Sequence, residues 1–263
     1  MTEVDLIRDI LEEVAVYAIG AYERRAELSI THKSGATDLL TEADEEIQRR
    51  IAARIQAEFP GEAIVAEELG MHGYPREPSE PCWVIDPIDG TQNFVAGLFP
   101  AFGISLARVH QQVPTAGGVI LPITGDLFLA EQGSGATRNG ERIEVSRTRS
   151  VDVARVEVDF SDPPQRPETL ARFAHILEAS GQLRSQGAAV VGMCSVATGD
   201  ADAYCHVGLS PWDYAAAALL VSEAGGQITR LNGQALRIFD ADQSVLASNA
   251  VLHDDLRKMM RPA

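Results

Sequence analysis

The stretch from Cys82 to Phe94, Cys-Trp-Val-Ile-Asp-Pro-Ile-Asp-Gly-Thr-Gln-Asn-Phe, constrains this chain more than any other. Trp83-Val84-Ile85 has the length and composition of a buried strand. Asp86 and Pro87 follow, and the sequence predicts that they stop the strand and fix the chain's exit. Two carboxylates, Asp86 and Asp89, flank that exit. Gly90 permits a tight turn that opens a helix near Thr91. Such a turn sets acidic oxygens beside free backbone N–H groups at a helix start. Carboxylates collect hard cations such as Mg²⁺, and helix N-termini collect phosphate. A site with both suits a phosphate ester bridged by metal. The same residues are also ordinary turn formers, and a carboxylate at a strand end is often only a cap. The rest of the chain decides between these readings.

With 263 residues the chain has room for one large domain or two tightly joined halves around a substantial core. Its composition, 45% hydrophobic and 23% charged, is that of a soluble globular protein. The N-terminus lacks a signal peptide's basic start, and no apolar run nears the roughly 20 residues of a membrane span. Cys82, Cys194 and Cys205 are scattered without a CxxC pair, which suits a reducing cytoplasm. The formal charge of −16 argues against nucleic acid as a partner, and the lack of a long apolar run against a membrane. It would also repel an anionic substrate, unless bound divalent cations reverse the sign locally.

Apolar spacing at Val4, Ile7, Leu11, Val14 and Ala18 predicts a long first helix. A second runs from about Glu42 to Glu58, with Thr41 as N-cap and Asp44 at N3 in a near capping box. Pro60-Gly61 ends it, and Ala63 to Ala66 reads as a short buried strand delivering Glu67-Glu68. Strands are expected from Phe102 to Val109, Thr115 to Leu121 and Asp126 to Gln132, with a hairpin turn at Asn139-Gly140. The polar, proline-broken run from Asp159 to Pro167 is a plausible joint between halves 1–150 and 151–263 that form one compact unit. Beyond it, helices alternate with short strands, which suggests layers of helix on sheet.

Acidic residues recur at element junctions: Asp38, Asp44, Glu67, Asp86, Asp89 and Asp213. Singly, each is explained as a helix-start residue or a solvated strand end. Together they would repel one another strongly, and metal is the simplest remedy. The chain resembles the inositol monophosphatase family, of the superfamily that also holds fructose-1,6-bisphosphatases. The resemblance rests on Trp83 to Phe94, Trp212-Asp-Tyr-Ala-Ala-Ala, Glu223-Ala-Gly-Gly226, Asp38 to Asp44, Glu67-Glu68 and Val196 to Ala203.

That resemblance implies an α/β fold, a layered αβαβα sandwich, with a Mg²⁺-dependent, lithium-sensitive phosphomonoesterase site holding two or three ions. By position, Glu67, Asp86 and the carbonyl of Ile88 would hold the first Mg²⁺. Asp86, Asp89 and Asp213 would hold a second, and a third would lean on Glu67. Thr91 and Asp44 would orient and deprotonate the attacking water, while the amides of Gly90 and Thr91 receive the phosphate. Lys33 and Asp38 match positions behind the catalytic threonine and the metals. The residue types agree with the chemistry independently. Phosphoryl transfer is mainly positioning plus charge stabilisation, and Mg²⁺ asks for hard oxygen ligands.

Substrate residues implied by position are Asp89, Gly187, Ala188, Ala189, His206 and Asp213. Two depart from the family pattern. Gly187-Ala188-Ala189-Val190 lacks a hydroxyl after its glycine, and His206 stands where the family has an acid. Inositol monophosphate is the first substrate expectation, with histidinol phosphate or a sugar (bis)phosphate as the alternative. A catalytically silent regulator that binds metal or phosphate is the non-enzyme alternative. The family's habit implies a homodimer, and a small phosphate ester is the expected substrate; the cytoplasm is expected from the scattered cysteines.

Overall fold

The architecture is that of a computed structural model describing residues 2–32, 39–68, 73–75, 77, 79–97, 101–160 and 165–260. Lys33 and Asp38 lie outside the described residues. The chain opens with helix α1 (Glu3–Glu23), the short pair β1 (Ile30–His32) and β2 (Leu39–Thr41), and helix α2 (Glu42–Glu58). Thr41 and Asp44 close a full capping box at the start of α2, as the sequence predicts. Then follow β3 (Ala63–Ala66), β4 (Cys82–Asp89), the short helix α3 (Thr91–Ala96), and strands β5 (Gly103–His110), β6 (Val113–Leu121), β7 (Asp126–Glu131), β8 (Gly135–Arg138) and β9 (Glu141–Arg142). The remainder comprises β10 (Arg155–Val158), α4 (Arg166–Ala179), β11 (Gln182–Arg184), α5 (Ala189–Ala197), β12 (Ala203–His206), α6 (Pro211–Glu223), β13 (Gly226–Thr229), β14 (Val245–Asn249) and α7 (His253–Met259).

Strands β3 to β9 form a seven-stranded sheet in sequence order, and the later strands form a five-stranded sheet ordered β11-β10-β12-β14-β13. Side-chain alternation assigns the layers. On β4, Trp83 and Ile85 join the core beneath α1 and α2. Cys82 and Val84 face the other way and pack with α5 and α6. Those two helices also receive Tyr204 and Ala247 of the smaller sheet, so they lie between the sheets. Val156, Val158 and Cys205 point outward to Phe173 and Ile176 of α4 and Leu256 of α7. The result is the layered αβαβα sandwich.

Close helix–sheet approach depends on small residues. A Cβ on Gly117 would stand 3.1 Å from the Cα of Ala216, and one on Gly118 would stand 2.8 Å from Ile7 and Leu11. The glycine pair on β6 therefore lets α6 press on one face of the sheet and α1 on the other. The Ala215–Ala218 run of α6 completes that fit and brings Asp213, in the first turn, over the ends of β4 and β5.

One local expectation needs correction. Asp86-Pro87 does not end the strand, which continues to Asp89. Asp86 pairs with Ser105 and Asp89 with Gly103, so β4 carries one extra residue there, a bulge. Pro87 has no N–H to lose, and a bulge is where a strand tolerates it. Among the described residues, no helix is long and apolar enough to cross a membrane. The three cysteines are free and buried.

Candidate active site

The bulge is what makes a site of β4. In a regular strand, residues three apart point to opposite faces. One extra residue brings Asp89 round to the side of Asp86. Asp213 then completes a cluster whose carboxylate oxygens all lie within 4.8 Å of one another. Asp86 is 1% exposed, and its Oδ1 accepts the Ile88 N–H at 3.1 Å. Asp213 Oδ2 accepts the Ser210 N–H at 2.7 Å in the capping box of α6. Asp89 Oδ2 accepts the Val190 N–H at 2.7 Å. Helix α5 has no side-chain cap of its own from Ala188, so Asp89, reaching across from β4, answers its N-terminal amides.

Glu67 follows β3, and its N–H donates to the Ile85 carbonyl at 3.3 Å. Gln48 of α2 grips the next residue at both backbone groups: Nε2 donates to the Glu68 carbonyl at 3.1 Å, and Oε1 accepts the Glu68 N–H at 2.9 Å. Glu67 is thereby set against Asp86, to which it is hydrogen-bonded. Burial pushes the Asp86 carboxyl well above its ordinary range, and the charges of Glu67, Asp89 and Asp213 push it further. Burial and the Asp213 charge do the same to Asp89, against the opposing pull of the Val190 and Ala189 amides. A group of hard oxygen donors that cannot all ionise unaided is the chemistry of a metal ion site, and these residues could hold one.

The cluster opens into a cleft of about 420 Å³. Glu67, Asp89, Gly90, Thr91 and Asp213 line one end, and Gly187, Ala188, Ala189 and His206 line the rest together with residues the sequence did not single out. Asp86 and Ile88 lie buried behind this lining. Asp44 is also fully buried, its Oδ2 taking the N–H and hydroxyl of Thr41. The Thr91 hydroxyl donates to the Ile88 carbonyl at 3.0 Å, which ties the start of α3 to the bulge. Gly90 has φ +88°, and a Cβ there would meet the Ala188 Cβ at 2.9 Å and the Ala101 carbonyl at 3.0 Å. Only glycine both adopts that backbone and lets the two walls meet. Asn93 Nδ2 donates to the carbonyls of Ala101 and Gln186, each at 2.7 Å, and fastens the same walls.

Asp159 and Tyr204 line the cleft, and Gln48 supports it, without having been singled out from the sequence. Asp159 lies in the polar run assigned to a joint. Gln48 offered one signal: an amide on the apolar face of α2, one helical turn after Asp44.

A layered α/β sandwich whose buried carboxylate cluster meets a glycine-opened helix start in one cleft defines a metal-assisted phosphatase. Residues 3–261 match the Inositol monophosphatase family. The fructose-1,6-bisphosphatase/inositol-1-monophosphatase of Thermotoga maritima is 36% identical over 237 residues, covering 88% of this chain and 86% of that protein. Phosphatase IMPL1, chloroplastic, of Arabidopsis thaliana is 37% identical over 243 residues; the match covers 89% of this chain but 64% of that longer protein. The crystal structure of extragenic suppressor protein suhB from Bartonella henselae superposes with a TM-score of 0.90 at 27% identity, over 97% of this chain and 96% of that one. The chain belongs to the inositol monophosphatase family and is a phosphatase of that family.

Proposed function

We propose that the protein is a Mg²⁺-dependent phosphomonoesterase acting on a small polyol phosphate, inositol monophosphate first, as a cytoplasmic homodimer. The observation that carries this reading is the Asp86–Asp89–Asp213 cluster, oxygens within 4.8 Å, at the end of the cleft where Gly90 and Thr91 open α3. Glu67, Asp86 and the Ile88 carbonyl would hold one ion, and Asp86, Asp89 and Asp213 another, with Glu67 able to lean on a third. When bound, Mg²⁺ supplies charge to offset the phosphate and the developing negative charge of the reaction.

The residues of the chain do the rest. Thr91 and Asp44 would position the attacking water; its proton passes towards Asp44 as the water oxygen bonds to phosphorus, the bond from phosphorus to the alcohol oxygen breaks, and the departing oxygen takes a proton from solvent water. The backbone N–H groups of Gly90 and Thr91 orient the phosphoryl oxygens. Gly187, Ala188, Ala189 and His206 face the leaving alcohol, with Asp89 and Asp213 between it and the phosphate. Residues 1–150 and 151–263 work as two halves of one unit, since α6 of the second half carries Asp213 to carboxylates of the first.

The relatives bear bisphosphatase, monophosphatase and suppressor names, so the leaving alcohol is the open choice. A panel of inositol 1-phosphate, histidinol phosphate and fructose 1,6-bisphosphate, each with Mg²⁺, tests it. The reading expects the highest kcat/KM on inositol 1-phosphate. A preference above tenfold for either of the others transfers the assignment to that substrate, and no phosphate release from any of them leaves a silent binding protein.

A further inference from the structure

One wall of the cleft is built by the ends of β10 and β12, which run parallel with Val156 opposite Ala203 and Val158 opposite Cys205. Continuing that register by one residue sets Asp159 beside His206. Neighbouring strands lie about 4.8 Å apart, and laterally paired side chains share a face. Both residues are 7% exposed, and both line the cleft.

Asp159 is not a solvated strand end. Its Oδ1 accepts the Ser185 hydroxyl at 2.9 Å and the Gly187 N–H at 2.8 Å, and its Oδ2 accepts the Tyr204 hydroxyl at 3.2 Å. Three donors from two segments of the chain fix the orientation of one carboxylate. The oxygens are used unequally. Oδ1 takes two bonds, whereas Oδ2 takes one among the described residues and keeps acceptor capacity beside a cleft-lining tyrosine. His206 does not duplicate that capacity. Its Nδ1 already accepts the Gly208 N–H at 3.0 Å, which in the neutral ring leaves the proton on Nε2. The acceptor function on this wall therefore falls to Asp159.

We propose that Asp159 is the specificity residue for the leaving alcohol: its carboxylate accepts hydrogen bonds from hydroxyl groups and selects polyhydroxylated leaving groups over apolar ones of the same size. This rests on the phosphatase reading above and adds a residue and a substrate class to it. A hydroxyl that meets an oriented acceptor in a buried wall gains a hydrogen bond, while an apolar ring leaves that acceptor desolvated and unanswered.

Asp159→Asn is the clean perturbation. Asn keeps Oδ1 for Ser185 and Gly187, and its Nδ2 can donate to the Tyr204 oxygen, so the wall retains its bonds and loses only the acceptor. The substrates are myo-inositol 1-phosphate and cyclohexyl phosphate, the same ring without hydroxyls, with Mg²⁺. The parent should favour the inositol ester at least tenfold in kcat/KM. Asp159→Asn should lower kcat/KM for the inositol ester at least tenfold and for the cyclohexyl ester less than threefold. Asp159→Asn combined with His206→Glu, which returns a carboxylate on the neighbouring strand, should recover most of the preference.

Equal losses on both esters, or no change in their ratio, would overturn the proposal. The parent measurement tests it even where a variant does not fold, because a parent indifferent to the ring hydroxyls refutes it outright. A parent that cleaves neither ester, nor p-nitrophenyl phosphate, removes the phosphatase reading itself and this inference with it. Cleavage without hydroxyl selectivity removes the inference alone.

Discussion

Replacing Asp86 with Asn separates what this residue costs the fold from what it gives the site. Asn keeps the Oδ1 that accepts the Ile88 N–H, and its Nδ2 can donate to Glu67. Two like charges 4.8 Å apart, the outer limit of the cluster, repel by about 3.5 kcal/mol at an effective dielectric near 20. Protonation caps that strain, so we expect metal-free Asp86→Asn to be about 2–3 kcal/mol more stable than the parent at pH 8. For a chain of this length that is a melting point roughly 5–10 °C higher. The sign follows from the direction of the shift. The folded carboxyl lies above its ordinary 3.8, so the folded state holds its proton where the unfolded chain releases it. Parent stability is therefore full below that value and falls as pH rises towards the raised one. The two proteins should converge near pH 4. Mg²⁺ should raise the parent's melting point by mass action and the variant's far less, and kcat should fall by orders of magnitude. The assay is thermal melting at pH 4 and pH 8, in chelator and in Mg²⁺. A variant that melts below the parent in chelator at pH 8, or gains an equal Mg²⁺ shift, would refute the reasoning.

Three further outcomes follow from the packing. Gln48→Ala frees the Glu68 backbone and should weaken Mg²⁺ binding about tenfold, as loss of an outer support commonly does; unchanged binding in a calorimetric titration would show that Glu67 is held without it. Gly90→Ala places a Cβ 2.9 Å from that of Ala188 at φ +88°, so it should cost about 2 kcal/mol and most of kcat. Parent-like turnover would mean the two walls separate freely. His253 is bonded on both ring nitrogens, to Thr229 at 2.9 Å and Ser248 at 2.8 Å, and burial lowers its pKa to about 4. The unfolded chain takes up that proton first, so stability should drain by up to about 3 kcal/mol as pH falls from 6.5 to 4. His253→Gln should flatten this limb of the stability profile, and an unaltered acid limb would contradict it.

Much of this arrangement was legible in the residues because local chemistry decided it. Thr41 and Asp44 cap α2 through bonds spanning three residues, and the alternation of Trp83, Val84 and Ile85 needs only a two-sided sheet. The acidic residues at junctions were readable for the same reason, each standing where a strand or helix begins or ends. What escaped depends on lateral placement. The strand runs past Pro87 because β5 accommodates a bulge opposite, which β4 alone cannot disclose. Asp159 read as part of a joint because nothing in its neighbours says that β12 will lie alongside and bring Tyr204 and His206 to it. Gln48 acts on Glu68, twenty residues away, and that partnership exists only once α2 crosses β3 and β4.

The most direct measurement is phosphate release from myo-inositol 1-phosphate by the purified protein as Mg²⁺ is titrated in and then removed with chelator. A buried carboxylate cluster built for hard cations predicts no turnover without Mg²⁺, a saturable rise as it is added, and full loss on chelation that added Mg²⁺ restores. Undiminished phosphate release in chelator, or none at any Mg²⁺ concentration from this ester or the rest of the panel, would contradict the account.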